Sequence, residues 1–274
     1  MKKIIFTGKG GVGKTTILSN LVRLLVLDKL RVLAIDCDPS MNLATSLGIP
    51  LSQVVSIAED KAQFQEKLER SMRSYGDEDE DDDHYGDEDE DDDHYGDEDG
   101  VDYHNHGAIP NQNLSEYIVK TPDSVNLIVM GTIPFGGAGC LCAPIAMVKM
   151  LVSYLSSCND EYDIIIVDSQ AGVEIFGRGL ASEFDLALIV TEPTPKALDV
   201  ARHGSKLAQD LAVKKQIAIA NKVENISDLK AAEKALKGCV DLIIPMEYDK
   251  NIKKADKKGI LLLDYASHSS AMND

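Results

Sequence analysis

A strand-like apolar run, KIIFT, is followed at once by GKGGVGKTT (residues 8–16) and then by a stretch with apolar residues at helical spacing. Few folds accommodate that order. The four glycines let backbone N–H groups converge on phosphate oxygens, and the N-terminus of the following helix adds its partial positive charge. The spacing is that of a glycine, four residues, then Gly-Lys-Ser/Thr, placed between a strand and a helix as that motif requires. Gly8, Gly10, Gly11, Val12, Gly13, Lys14, Thr15 and Thr16 are therefore the candidate ligands of ATP or ADP. Lys14 is expected to reach the β- and γ-phosphates, and the Thr15 hydroxyl to hold Mg²⁺. A tight strand-to-helix turn with no ligand is the alternative, and the full match in this context argues against it.

The rest of the chain alternates in the same way. A helix is expected over residues 14–27. Further strands are read at RVLAID, SVNLIVMG (124–131), YDIIIVDS (162–169), DLALIVTE (185–192), QIAIANK (216–222) and VDLIIP (240–245). Several are unbroken Ile/Val/Leu runs, as strands covered on both faces are. Helices are expected over 143–157 and near 196–211, 226–237 and 249–257, and the region 52–74 also reads as helical. Alternation of this kind predicts an α/β fold with a mostly parallel sheet, helices on both faces and ligands at the carboxyl ends of the strands. A single ATPase domain over residues 1–274 is expected.

The net charge of −18 is local in origin. Residues 75–104 hold 18 of the 46 acidic residues and no Lys or Arg, so the remainder carries 28 charges of each sign. The block is a repeat: YGDEDEDDDH twice, then YGDEDGVDYH. It has no apolar face to stack, so residues 75–106 are expected to be a disordered, His-bearing acidic insert. A solvated acidic loop and a metal-collecting segment are both open readings of its histidines. The neutral body lacks the clustered basic excess of a nucleic-acid-binding surface. No apolar run approaches a membrane span, and the opening residues do not read as a signal peptide, so no membrane partner and a cytoplasmic location are expected. Five cysteines, an odd number, suit reduced thiols or metal ligands rather than a disulfide framework.

Lys9 is a second lysine early in the glycine loop. With it, GKGGVGKTT resembles the deviant Walker A loop of the MinD/ParA/nitrogenase iron protein class of ATPases. That resemblance implies a homodimer in which Lys9 reaches the partner's nucleotide and stabilises charge on the transferring phosphoryl group. Other segments are similar in order. DCDPSMNL resembles the family's switch I, which implies that Asp38 orients or deprotonates the attacking water and that Asp36 sits near Mg²⁺. IIIVDSQAG looks like a Walker B segment with switch II, giving Asp168 to the Mg²⁺ shell. IANKVEN and IPMEYDKN resemble the base-binding loops, giving Asn221, Lys222 and Pro245 to the adenine.

Cys140-Leu141-Cys142 follows a glycine-rich turn. Two such thiols are too close to pair easily, and each could simply pack as a small hydrophobe. Two thiolates per chain are half of a four-coordinate site, which a two-fold dimer would complete. A helix beginning near residue 143 would lower the thiol pKa values and favour ligation. MGTIPFGGAGCLCAP followed by DSQAGVEIFGRG resembles the CooC-type carbon monoxide dehydrogenase accessory ATPases, over most of residues 1–50 and 114–265. The resemblance implies Ni²⁺ or Zn²⁺ on Cys140 and Cys142, and a client metalloenzyme such as carbon monoxide dehydrogenase. The chain departs from that family in its acidic repeat and in Ser169-Gln170, where members often carry Met-Glu. A ParA/MinD-like switch that positions a partner is the alternative. Cys37, Cys158 and Cys239 fall in strand or helix patterns and read as structural.

Overall fold

The computed structural model describes residues 1–76, 112–133, 135, 141–157, 161–266 and 268. Most of the 75–106 insert lies outside the described residues, as do Cys140 and Cys158. Eight strands form one sheet: β1 (Lys2–Gly8), β2 (Val32–Cys37), β3 (Val119–Lys120), β4 (Asn126–Val129), β5 (Ile164–Ser169), β6 (Leu186–Thr191), β7 (Lys215–Val223) and β8 (Leu242–Glu247). Their spatial order is β3-β4-β2-β5-β1-β6-β7-β8. Every pairing is parallel except β3 with β4.

The strands read as unbroken apolar runs are the ones buried on both faces. All six residues of β2 are buried, as are five of six in both β5 and β6. Helices α1 (Lys14–Leu27) and α2 (Asn42–Ser46) cover one face. They contribute Leu18, Val22, Leu43 and Ala44 to a core that includes Phe6, Ala34, Leu127 and Ile166. On the other face lie α3 (Lys61–Gly76), α4 (Cys142–Ser157), α5 (Glu174–Gly177), α6 (Pro195–Asp210) and α7 (Ile226–Leu236). Phe64, Leu68, Val148, Leu151, Ala201 and Leu236 meet Ile5, Leu33 and Ile165 there. Residue alternation across the sheet assigns Phe6 to one core and Ile5 to the other. Two short helices, α8 (Lys250–Lys258) and α9 (Leu262–Tyr265), line a cleft with α1 and α2.

The expected strands and the later helices all form. The expectation of helix across 52–74 requires correction: a 3₁₀ turn at Leu51–Gln53 and an irregular stretch precede α3, which starts at Lys61. The reason is tertiary. The N–H groups of Ile57 and Ala58 donate to the carbonyls of Val129 and Met130 (3.1 and 2.8 Å), so this backbone extends the end of β4 instead of coiling. The two-residue β3 has no sequence signal of its own; it exists because Val119 and Lys120 pair with Leu127 and Asn126.

Candidate nucleotide site

β1 lies between β5 and β6, and the chain leaves it for β2 on one side and reaches β6 on the other, so the crevice above the carboxyl end of β1 is where a ligand sits in such a sheet. The glycine loop occupies that position. Gly8 has φ 145°, and a Cβ there would stand 2.1 Å from the Val190 carbonyl oxygen. Gly13 has φ 99°, and a Cβ there would fall 2.5 Å from Nδ2 of Asn221. No other residue type fits either position without displacing backbone or a buried amide.

The loop is held from two sides. The Gly172 N–H donates to Gly8 O (3.0 Å) and the Thr7 hydroxyl to Gly172 O (3.2 Å), which ties β1 to the segment after β5. From the other side, Asn221 Nδ2 donates to Val12 O (2.8 Å), and Lys222 Nζ donates to Gly11 O (2.9 Å) while pairing with Glu192 (3.0 Å). Three carbonyls of the loop are thereby engaged from outside. Carbonyls drawn away leave the N–H groups to face the crevice, the arrangement that receives phosphate.

Lys14 is buried, and its Nζ donates to Gly8 O (3.3 Å). Burial lowers its pKa, against the opposing pull of Asp168 and Asp38. The Thr15 hydroxyl donates to Asp168 Oδ2 (2.6 Å), while Asp168 Oδ1 is buried without a hydrogen-bond partner. Asp36 and Asp168 are register partners on β2 and β5, both fully buried. The Asp36 carboxylate accepts the N–H groups of Asp38 (3.1 Å) and Leu43 (3.0 Å). Burial, with Asp168 alongside, pushes Asp36 up to about 7, and burial pushes Asp168 up to about 6. Two buried carboxyls and a hydroxyl around an orphaned carboxylate oxygen are a hard-oxygen donor set suited to Mg²⁺. When bound, that ion would supply positive charge beside the phosphates. Asp38 is half-buried at the mouth, with Oδ1 accepting the Ser40 N–H (2.9 Å). Lys9 is half-buried and makes no hydrogen bond or ion pair with the described residues.

At the ends of β7 and β8 a cleft of about 560 Å³ is lined by Pro245 together with Val223, Ile226, Leu229 and Tyr248. Ile226 is 72% and Tyr248 49% exposed, and Glu224, Asn225 and Glu247 complete the lining of this cleft. Asn221, expected to read the base, is buried beneath the glycine loop, its Oδ1 accepting the Lys222 N–H. Sequence reasoning missed Glu192 and Gly172. Glu192 carries no motif, whereas Gly172, at φ 97°, is visible only as the glycine of DSQAG.

The family model described as the CobQ/CobB/MinD/ParA nucleotide binding domain matches residues 3–263. The chain belongs to the CobQ/CobB/MinD/ParA nucleotide-binding family. It is a P-loop ATPase of that family. Among its relatives is the carbon monoxide dehydrogenase accessory protein CooC of Rhodospirillum rubrum, 32% identical over 96% of this chain and 89% of that protein. An uncharacterized ATP-binding protein of Methanocaldococcus jannaschii is 34% identical over 81% of this chain and 76% of its own length. In fold the chain is similar to the MinD cell division protein of Aquifex aeolicus, with TM-score 0.63 and 21% identity over 100% of this chain and 92% of that one. It is also similar to a ParA family ATPase of Chlorobium tepidum, with TM-score 0.66 and 19% identity over 99% and 95%.

The sulfur pair is seen in part. Cys142 is the first residue of α4 and is disulfide-bonded in this structure. A disulfide sulfur is not a thiolate, and ligation through Cys142 requires its reduction. Cys37, buried at the end of β2, and Cys239 are free. Among the described residues no group of three or more His, Cys, Asp or Glu could hold a metal ion. Among them, too, no helix is long and apolar enough to cross a membrane.

Proposed function

We propose that this ATPase is a homodimeric metallochaperone that couples Mg-ATP hydrolysis to delivery of nickel, or zinc, to a metalloenzyme such as carbon monoxide dehydrogenase. The observation that carries the proposal is the similarity to CooC over 96% of the chain, combined with a Cys-x-Cys at the head of α4. The metal is cargo, held by Cys140 and Cys142 of two protomers. In the nucleotide site the backbone of residues 8–13 cradles the phosphates, Lys14 binds their charge, and Thr15, Asp36 and Asp168 form the Mg²⁺ side. Asp38, at the mouth, orients the attacking water and accepts its proton. Lys9, with no partner among the described residues, crosses to the other protomer's nucleotide. The base lies in the cleft by Pro245, between Ile226 and Tyr248, with Asn221 and Lys222 holding the loop beside it.

The deciding measurement is metal content of protein purified anaerobically and fully reduced. One Ni²⁺ or Zn²⁺ per two chains, lost when both cysteines become serine, supports the proposal. No thiol-dependent metal, with normal ATP hydrolysis, would leave a ParA/MinD-like switch that uses ATP only as a timer.

A further inference from the structure

Helix α8, KNIKKADKK, carries five lysines in nine residues, in a chain whose net charge is −18. At about 100° per residue, Lys250, Lys253, Lys254, Lys257 and Lys258 fall within one arc of about 140°. All five are exposed, whereas Ile252 and Ala255, on the opposite side, face the cleft shared with α1 and α2. None of the five makes an ion pair with a described residue. Lys258 lies over the Tyr265 ring (4.8 Å), and the other four face solvent. The pairs Lys250–Lys254, Lys253–Lys257 and Lys254–Lys258 are spaced i, i+4, so the face repels itself. Asp256 is the acidic residue within the helix, and Asp249 caps it by accepting the Asn251 N–H (2.7 Å).

A face of this kind fits a polyanion, and this polypeptide contains one. The segment YGDEDEDDDHYGDEDEDDDH has fourteen carboxylates and no Lys or Arg. Its anchors are Gly76 at the end of α3 and Gln112 at the start of a 3₁₀ turn, with residues 77–111 between. At ~3.3 Å per residue, half of that length reaches ~55 Å from its anchors, more than the ~34 Å width of eight strands spaced ~4.8 Å apart. α8 is nearer than the far edge of the sheet, since it lines a cleft with Asn42, Thr45 and Ser46 of α2, which follows β2. We infer that the lysine face of α8 is an electrostatic dock for the chain's own acidic repeat. The contact spans many weak pairs, so it is salt-sensitive and requires no fixed geometry.

The test is zero-length carbodiimide cross-linking of the full chain at low ionic strength, read by peptide mass spectrometry. Amide links from the α8 lysines to residues 77–102 are expected, lost in 1 M salt and lost in a K253E/K254E/K257E variant. Links spread over other exposed lysines such as Lys61 and Lys206, with none on α8, would overturn the inference. So would links found only between chains, scored by mixing isotopically labelled and unlabelled protein. Should the variant fail to fold, the salt dependence of the natural chain still decides. A DNA oligonucleotide is the competing polyanion: binding to the full chain as strongly as to a chain lacking residues 77–106 would show that the repeat does not occupy the face.

Discussion

Lys9 and Lys14 stand five residues apart in the same loop, yet the fold treats them oppositely. Lys14 is buried against Gly8 O, whereas Lys9 is half-buried and makes no hydrogen bond or ion pair with the described residues. Lys14→Ala should therefore lose nucleotide affinity itself, by at least tenfold, as direct titration would show, since a charge-assisted phosphate contact contributes ~1.5–3 kcal/mol. Lys9→Ala should bind ATP normally but fail to hydrolyse it or to dimerise with it. A monomeric variant turning over at the normal rate would refute the trans role. The buried carboxylates make a pH prediction in the nucleotide-free protein. Asp36 and Asp168 have folded values of about 7 and about 6, above the ordinary 3.8, so the folded state holds their protons more tightly than the unfolded chain does. Their contribution is fully present below about pH 4 and is lost as pH rises through 6 to 7. Asp163, held at about 2 by Arg31, acts in the reverse sense, and its contribution disappears as pH falls from about 4 towards 2. Melting temperature in EDTA should decline from pH 4.5 to 7.5, and Asp36→Asn should flatten that decline. A flat natural profile would contradict it.

At the scale of elements, the site is a set of strand ends tied by their turns. β1 delivers Gly8 against Val190 of β6, and β7 delivers Asn221 beneath Gly13. Gly8→Ala forces a Cβ to 2.1 Å from a carbonyl oxygen in mid-sheet, so β1 and β6 must separate. A loss of ~3 kcal/mol or more in urea unfolding is expected, at the severe end for a single methyl group. α4 bears on the metal side. With both thiols reduced, Ni²⁺ or Zn²⁺ alone should drive monomer towards dimer, by linkage of metal binding to assembly. Affinity should fall as pH drops below the thiol pKa values. Light scattering on the Cys140→Ser/Cys142→Ser protein should show no metal-driven dimer, while ATP-driven dimerisation persists. Metal-driven dimers in that double variant would show that these sulfurs are not the ligands.

At the scale of the whole molecule, one eight-stranded sheet carries both cores, and the nucleotide-site residues lie on its strands, on their connecting turns and at the first turns of α1 and α7. Deletion of residues 77–106 removes none of them. Such a variant should keep its ATPase rate within about twofold and its melting temperature within a few degrees, because a change in loop length alters closure entropy only weakly. A large loss of turnover in a folded deletion variant would place the repeat within the catalytic cycle.

The sequence by itself determined what is local or periodic. Unbroken apolar runs marked β2, β5 and β6, because strands covered on both faces have no polar side to show. The glycine loop announced its conformation because only glycine tolerates the φ values at Gly8 and Gly13. The tertiary structure decided what depends on contacts between distant residues. It turned residues 54–60 away from helix by giving Ile57 and Ala58 carbonyls of the β4 end, and it made a strand of Val119–Lys120 by pairing it. It placed Asn221 under the glycine loop, and it brought in Glu192, whose only sign is the lysine it meets from another strand. Such pairings depend on which strands lie side by side, and no pattern within a single strand records its neighbour.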